Sequence, residues 1–162
     1  MCFCSVDPDV LNLPLLKKPL HFYKDKSQAP QILQDTGKII ETADAFVLVT
    51  AEYNNCLPPA LTNLLDHFPP SIYKYRPSGI VCYSAGSFGG VRASMQARTM
   101  LGELGSPSIG SIFTIPRIQK ALAEDGTPTE EHMEPGAERM IKELTWYATA
   151  LKNHRDKFGL PK

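Results

Sequence analysis

The amino-acid sequence predicts an α/β fold in which a parallel sheet is covered by helices on both faces. Three short runs at residues 45–50, 79–83 and 111–115 are β-prone. The first two are apolar throughout, as suits strands buried on both sides. Between and after the runs lie segments whose apolar residues recur at steps of three and four, so strand and helix alternate along the chain. Right-handed crossovers then put helices on both faces of the sheet. A length of 162 residues suits one domain, residues 1–162, around one core.

Taken in order, residues 1–6 are a short apolar run expected to form a strand. Leu11, Leu13, Leu15 and Leu16 follow, bounded by Pro14 and Pro19, as an apolar connection. Over residues 29–43, Ile32, Leu33, Thr36, Ile39, Ile40 and Ala43 make the stripe of an amphipathic helix. The strand at 45–50 leads into a turn through Asn54 and Asn55, and then a helix at 59–67 that opens on prolines. After the strand at 79–83, a glycine-rich loop at 84–90 enters a helix at 91–104, and 111–115 is the next strand. Met133, Ala137, Met140, Ile141, Leu144, Ala148 and Leu151 fall on one stripe of a closing helix.

Composition narrows the function classes. Lys plus Arg and Asp plus Glu are 17 each, so there is no basic excess to release counterions from a nucleic acid or to hold an anionic membrane. No apolar stretch reaches the 18 residues of a membrane span, and the N-terminus lacks a signal-peptide pattern, which points to a cytoplasmic protein. The four cysteines, Cys2, Cys4, Cys56 and Cys82, form no CxxC pair. They are expected to be buried, reduced thiols and not a metal site.

In an open α/β sheet, ligands bind in the crevice beyond the carboxyl ends of the strands, here at the loops after Thr50 and Tyr83. The first loop reads TAEYNNCLP over residues 50–58 and the second YSAGSFGGVR over 83–92. Glycines in the second let the backbone approach a flat or anionic ligand. Together with PPALTNLLDHF at 58–68, the segment 74–77, GIVCYS at 79–84 and GGVRA at 89–93, these loops closely resemble the NADPH-dependent FMN reductase family of flavodoxin-like proteins. That family also includes quinone and azo reductases. Its Pro-Glu-Tyr-Asn loop stands here as Ala51, Glu52, Tyr53 and Asn54.

The resemblance implies a flavodoxin-like doubly wound parallel sheet in three layers, α/β/α, and an NAD(P)H-dependent oxidoreductase. FMN would lie in the crevice, with NADPH or NADH as co-substrate and a quinone, azo compound or flavin as the small-molecule acceptor. It places Glu52, Tyr53 and Asn54 along the ring edge and Ser84, Gly86, Gly89 and Gly90 beside the ring. No side chain is expected to act as an acid or base, because the cofactor carries the chemistry. Family members usually form homodimers, which makes the helix at 59–67 a candidate contact surface.

The family also opens with a strand and a loop rich in Gly, Ser and Arg that cradles the FMN phosphate, and residues 1–19 do not match it. The chain is therefore expected to lack the first, central strand and the phosphate site. It would then be an isoform, an incomplete gene model or a diverged protein, and would bind FMN weakly. A non-catalytic flavodoxin-like remnant acting through full-length partners is the alternative reading.

Rival motifs are weaker. Cys82 to Gly86 resembles a nucleophile elbow with its first Gly replaced, with His132 and His154 downstream, but a hydrolase leaves the Glu-Tyr-Asn loop unexplained. Phe88 breaks a dinucleotide GxGxxG pattern, and no Walker A lysine is present. His67, near a helix end, is expected to be a cap or surface residue, and Arg92 to face a phosphate, a neighbouring chain or solvent.

Overall fold

The computed structural model describes residues 3–161. Three parallel strands, β1 (Phe46–Ala51), β2 (Ser78–Tyr83) and β3 (Ser108–Ile115), pair in the order β1-β2-β3, with Val49 beside Val81 and Val81 beside Phe113. The helices are α1 (Pro8–Leu11), α2 (Gln31–Thr42), α3 (Pro59–Asp66), α4 (Val91–Glu103), α5 (Ile118–Ala121) and α6 (Met133–Phe158).

Side chains alternate across the strands and split the core in two. Leu48, Ile80 and Cys82 join Leu33, Leu64, Leu65 and Leu101 in the larger cluster, which holds α2, α3 and α4. On the opposite face Ile109, Met140 and Leu144 form a smaller cluster with Val81, Phe113 and Ile141, under α6. The cover is unequal. Val49 on β1 is 62% exposed.

The alternation of strands and helices is as the periodicity predicts, with three differences. Residues 3–6 form no strand, because no ladder partner pairs with them and Asp7 already caps α1 by accepting from the Asp9 N–H at 2.9 Å; Met1 and Cys2 lie outside the described residues. β3 starts at Ser108, not 111. Its weak β-formers Gly110 and Ser111 are held by the Glu143 carboxylate, which accepts their N–H groups at 2.9 and 3.2 Å and also the Ser111 hydroxyl. α6 runs on to Phe158, where Arg155 donates to Asp44 at 2.7 Å and to the Tyr75 carbonyl at 3.3 Å.

His67 does close α3, but it is buried and not at the surface. Its Nε2 lies 2.9 Å from the Pro14 carbonyl, and its own carbonyl accepts from Leu20 N at 2.8 Å. The proline-bounded segment is thus tied down on α3. Of the cysteines, Cys82 is buried as expected, whereas Cys4 and Cys56 are exposed because both sit on irregular backbone outside the sheet.

Candidate functional site

The carboxyl ends of the strands carry the two loops to one end of the sheet. After β1, Tyr53 and Cys56 exchange backbone hydrogen bonds of 3.0 and 2.9 Å around Asn54 (φ 52°) and Asn55 (φ 64°). Two left-handed residues in succession define a type I′ turn, and asparagine tolerates that conformation better than most side chains. Gln96 of α4 braces the turn by accepting the Leu57 N–H at 2.9 Å and donating to the Asn55 carbonyl at 3.3 Å. No motif in the sequence marks Gln96; its place one helical turn after Arg92 is the signal it carries.

Glu52 faces inward. Its Oε2 accepts the N–H groups of Arg92 and Ala93 at 2.9 and 3.0 Å, and Oε1 lies 3.7 Å from the Arg92 guanidinium. A carboxylate at the first turn of α4 satisfies orphan donors and complements the helix dipole. The side chain is only 9% exposed. Arg92 therefore pairs with Glu52 and also lies over the Phe88 ring, 5.0 Å from its centroid.

In the second loop, Gly89 (φ 61°) and Gly90 (φ 82°) are buried. A Cβ at Gly90 would come within 3.0 to 3.1 Å of Cys82 Cβ and the Tyr83 backbone, and one at Gly89 would meet Pro116 and Thr114 at 3.0 Å. These two glycines let α4 start against the ends of β2 and β3. Gly86 is different: it is exposed, with only Ser84 Oγ near its missing Cβ, at 3.9 Å. Ser84 is half-buried, accepts from Ile118 N through its carbonyl at 3.0 Å, and donates its hydroxyl to the Gly86 carbonyl at 3.3 Å.

The structure thus gathers all seven residues predicted for the site at one end of the sheet, in two sets. Glu52, Gly89 and Gly90 turn toward the protein, while Tyr53, Asn54, Ser84 and Gly86 line its surface. Between the sets, the N–H groups of Ala85, Gly86, Ser87 and Phe88 donate to no other described residue. Beneath them, burial pushes the Cys82 thiol up to about 11, with the Glu52 charge adding to the effect, so it is not a nucleophile at neutral pH.

The sequence model of the family described as NADPH-dependent FMN reductase matches residues 4–120, a stretch that contains every one of these residues. The chain belongs to the NADPH-dependent FMN reductase family. Members are NAD(P)H:flavin oxidoreductases, and FMN with NADPH or NADH is the family's cofactor set. The chain is 22% identical over 152 residues to an NADPH azoreductase of Bacillus sp. (strain OY1-2), covering 94% of this chain and 83% of that protein. Its fold is similar to that of FerB, a flavoenzyme NAD(P)H:(acceptor) oxidoreductase from Paracoccus denitrificans, with a TM-score of 0.65 at 23% identity over 88% of this chain and 77% of that one. An NADH:FMN oxidoreductase in apo form matches with a TM-score of 0.55 at 17% identity, over 90% of this chain and 67% of that one.

For an FMN reductase, the unspent amides of 85–88 and the Tyr53–Asn54 turn fit the polar edge of a flavin ring. The phosphate finds less. Arg92 N and Ala93 N at the head of α4 are taken by Glu52, and Ile118 N at the head of α5 by the Ser84 carbonyl. Among the described residues no cluster of His, Cys, Asp and Glu is placed to hold a metal ion, and no helix is long and apolar enough to cross a membrane.

Proposed function

We propose that this chain is the flavin-binding unit of an NAD(P)H-dependent reductase that passes a hydride through FMN to a quinone, azo or flavin acceptor. Its site is the crevice between the two loops. The observation that carries the reading is the row of free amides at Ala85, Gly86, Ser87 and Phe88 beside the exposed Tyr53–Asn54 turn. Oriented N–H groups stabilise charge where it develops, and a flavin ring accumulates it on its pyrimidine edge when reduced. FMN supplies the hydride chemistry when bound. The chain's part is to position the ring: Asn54 and Ser84 offer polar groups, Tyr53 and Phe88 offer aromatic faces that are 59% and 63% exposed, and Glu52 with Gln96 keeps the two loops in register.

Titrating the protein with FMN and with riboflavin, followed by flavin fluorescence, tests this assignment. Saturable binding of both with similar affinity is expected, because the described residues engage the ring and not the phosphate. No binding of either would overturn it. With flavin bound, NAD(P)H oxidation by a quinone should follow ping-pong kinetics, and intersecting double-reciprocal lines would count against it. The relatives' reductase activities support the same class.

A second reading, a flavodoxin-like module that works by association and not catalysis, has the uncovered side of β1 in its favour. A homodimer through the exposed side of α3 is compatible with either. Sedimentation at several protein concentrations distinguishes monomer from dimer.

A further inference from the structure

A cavity of about 480 Å³ lies beyond the crevice, on the outer edge of β3. The Ser84 amide donates to the Ile115 carbonyl at 3.2 Å, so Ile115 and Phe113 face β2, and the alternation of a parallel ladder turns the backbone groups of Ile112 and Thr114 outward. These two residues line one side of the cavity, and His132 and Arg139, at the head of α6, line the other. Gly136 lets the helix come close there, since a Cβ on it would meet the Phe113 ring at 3.0 Å. Among the described residues no carboxylate lines the cavity. Glu130 lies 3.3 Å from His132 Nδ1, and Glu143 is spent on the Gly110 and Ser111 amides.

The arginines identify what fits. Of the six in the chain, four are committed: Arg92 to Glu52, Arg155 to Asp44, Arg76 to the Ala43 carbonyl and Arg98 to the Gly110 carbonyl. Arg117 and Arg139 are exposed and pair with no carboxylate among the described residues. Arg117 stands between the cavity and the crevice. It follows Pro116, which lines the cavity, and its N–H donates to the Gly86 carbonyl at 3.0 Å. Its φ of 48° is left-handed, a conformation that costs an arginine energy and that functional sites retain. A path out of the crevice thus passes one unspent guanidinium and ends beside another, next to the apolar surface of Ile112, Phe113 and Pro116. Guanidinium groups recognise phosphate with paired hydrogen bonds, so the path suits a long ligand that carries phosphates and ends in a flat ring. The volume falls within the range of about 300 to 1,000 Å³ usual for small-molecule sites.

Resting on the flavin reading above, we propose that this cavity holds the adenosine end of the nicotinamide co-substrate, and that Arg139 selects NADPH over NADH by pairing with the 2′-phosphate. Arg117, nearer the crevice, meets the pyrophosphate that both forms carry. The two forms differ only by that 2′-phosphate, so one guanidinium that binds it is enough to separate them. Arg139 is a specificity-determining residue in this arrangement and takes no part in hydride transfer, because the nicotinamide is left at the crevice.

The probe is adenosine 2′,5′-bisphosphate, the adenosine half of NADPH, titrated by calorimetry against the full 162-residue chain without flavin. It is expected to bind one-to-one and about tenfold more tightly than adenosine 5′-monophosphate, the matching half of NADH. Arg139→Gln, with unchanged circular dichroism, should abolish that preference, and Arg139→Lys should recover part of it. Arg117→Gln should weaken NADPH and NADH alike. Amide shifts in NMR spectra should be largest at Ile112, Thr114 and Gly136. No binding up to millimolar bisphosphate would overturn the proposal, as would a preference that survives Arg139→Gln or binding equalled by inorganic phosphate. So would an Arg117→Gln chain that lost affinity for FMN and not for riboflavin, since that guanidinium would then belong to the flavin phosphate. Failure of these titrations beside saturable flavin binding would sink the cavity and leave the crevice standing, and the converse result would sink the crevice alone.

Discussion

Glu52 and Tyr53 are consecutive, yet the carboxylate of one lies under the first turn of α4 while the ring of the other stands 59% exposed. The second loop divides in the same way, with Gly89 and Gly90 buried and Gly86 open. Each loop therefore has an inward half that fixes where the crevice is and an outward half that is free to meet a ligand. A motif that reads as one binding signature does two jobs. Substitutions in the inward half should act on stability first, and substitutions in the outward half on flavin binding.

The sharpest contrast is between two glycines of one loop. Gly90→Ala combines a left-handed φ of 82° with backbone contacts of 3.1 Å, and should cost on the order of 3 kcal/mol from strain and overpacking together. At a length of 162 residues that is roughly a 6 to 12 °C fall in melting temperature. Gly86→Ala meets open space and should move it by no more than about 1 °C. Equal losses in the two variants would erase the division between the halves.

The thiol beneath Gly90 gives a pH test. Cys82 is raised from an ordinary 9.0 to about 11, by burial first and the Glu52 charge second. Its contribution to stability is thus complete below pH 9 and is lost as pH climbs through 11, since the unfolded chain ionises first. Two pH units correspond to a loss of order 2 kcal/mol at the upper end. Urea unfolding at pH 8 and pH 10.5 should show a smaller decline in Cys82→Ala than in the parent. Identical slopes would place the thiol in contact with water.

Glu52→Ala leaves the Arg92 and Ala93 amides without their acceptor and should cost about 2 kcal/mol. Glu52→Gln keeps an acceptor without the charge and should recover about half. Amide exchange at Arg92 and Ala93 should rank the three proteins in the same order. If Glu52→Ala lost flavin affinity with no change in stability, the carboxylate would belong to the outward half.

Asn54 should show a small stability effect. Its φ of 52° makes alanine a poor probe there, at a cost of about 1 kcal/mol, while Asn54→Gly should stay within about 0.5 kcal/mol of the parent. Flavin affinity should nevertheless fall several-fold in Asn54→Gly, read by fluorescence titration. Unchanged affinity would remove this turn from the site.

Much of this arrangement was legible in the residues. Continuous apolar runs marked two strands, the prolines at 58 and 59 marked the start of α3, and paired asparagines marked the turn after β1. β3 is legible over 111–115 only, because Gly110 has little β propensity and is held in the sheet by Glu143, which lies 33 residues further on. His67 closes α3 as its position implies, but its burial is not legible for a related reason. A histidine beside an aspartate reads as a surface pair until Pro14, 53 residues away, is folded over it.

What the sequence determined by itself is therefore local: which segments extend, which coil, where the chain turns, and which two loops sit at strand ends. Those follow from side-chain periodicity and from the backbone preferences of Pro, Gly and Asn, which act within a few residues. The tertiary structure decided which way each loop residue faces and which strand edge is left unpaired. Glu52 turns inward because the amides of Arg92 and Ala93, 40 and 41 residues later, are brought within 3.0 Å of it. Among the described residues nothing pairs with the outer backbone groups of Val47 and Val49, because the third strand lies on the far side of β2. Such pairings join residues far apart in the chain, and a hydrogen-bond partner at that distance leaves no trace in the local pattern.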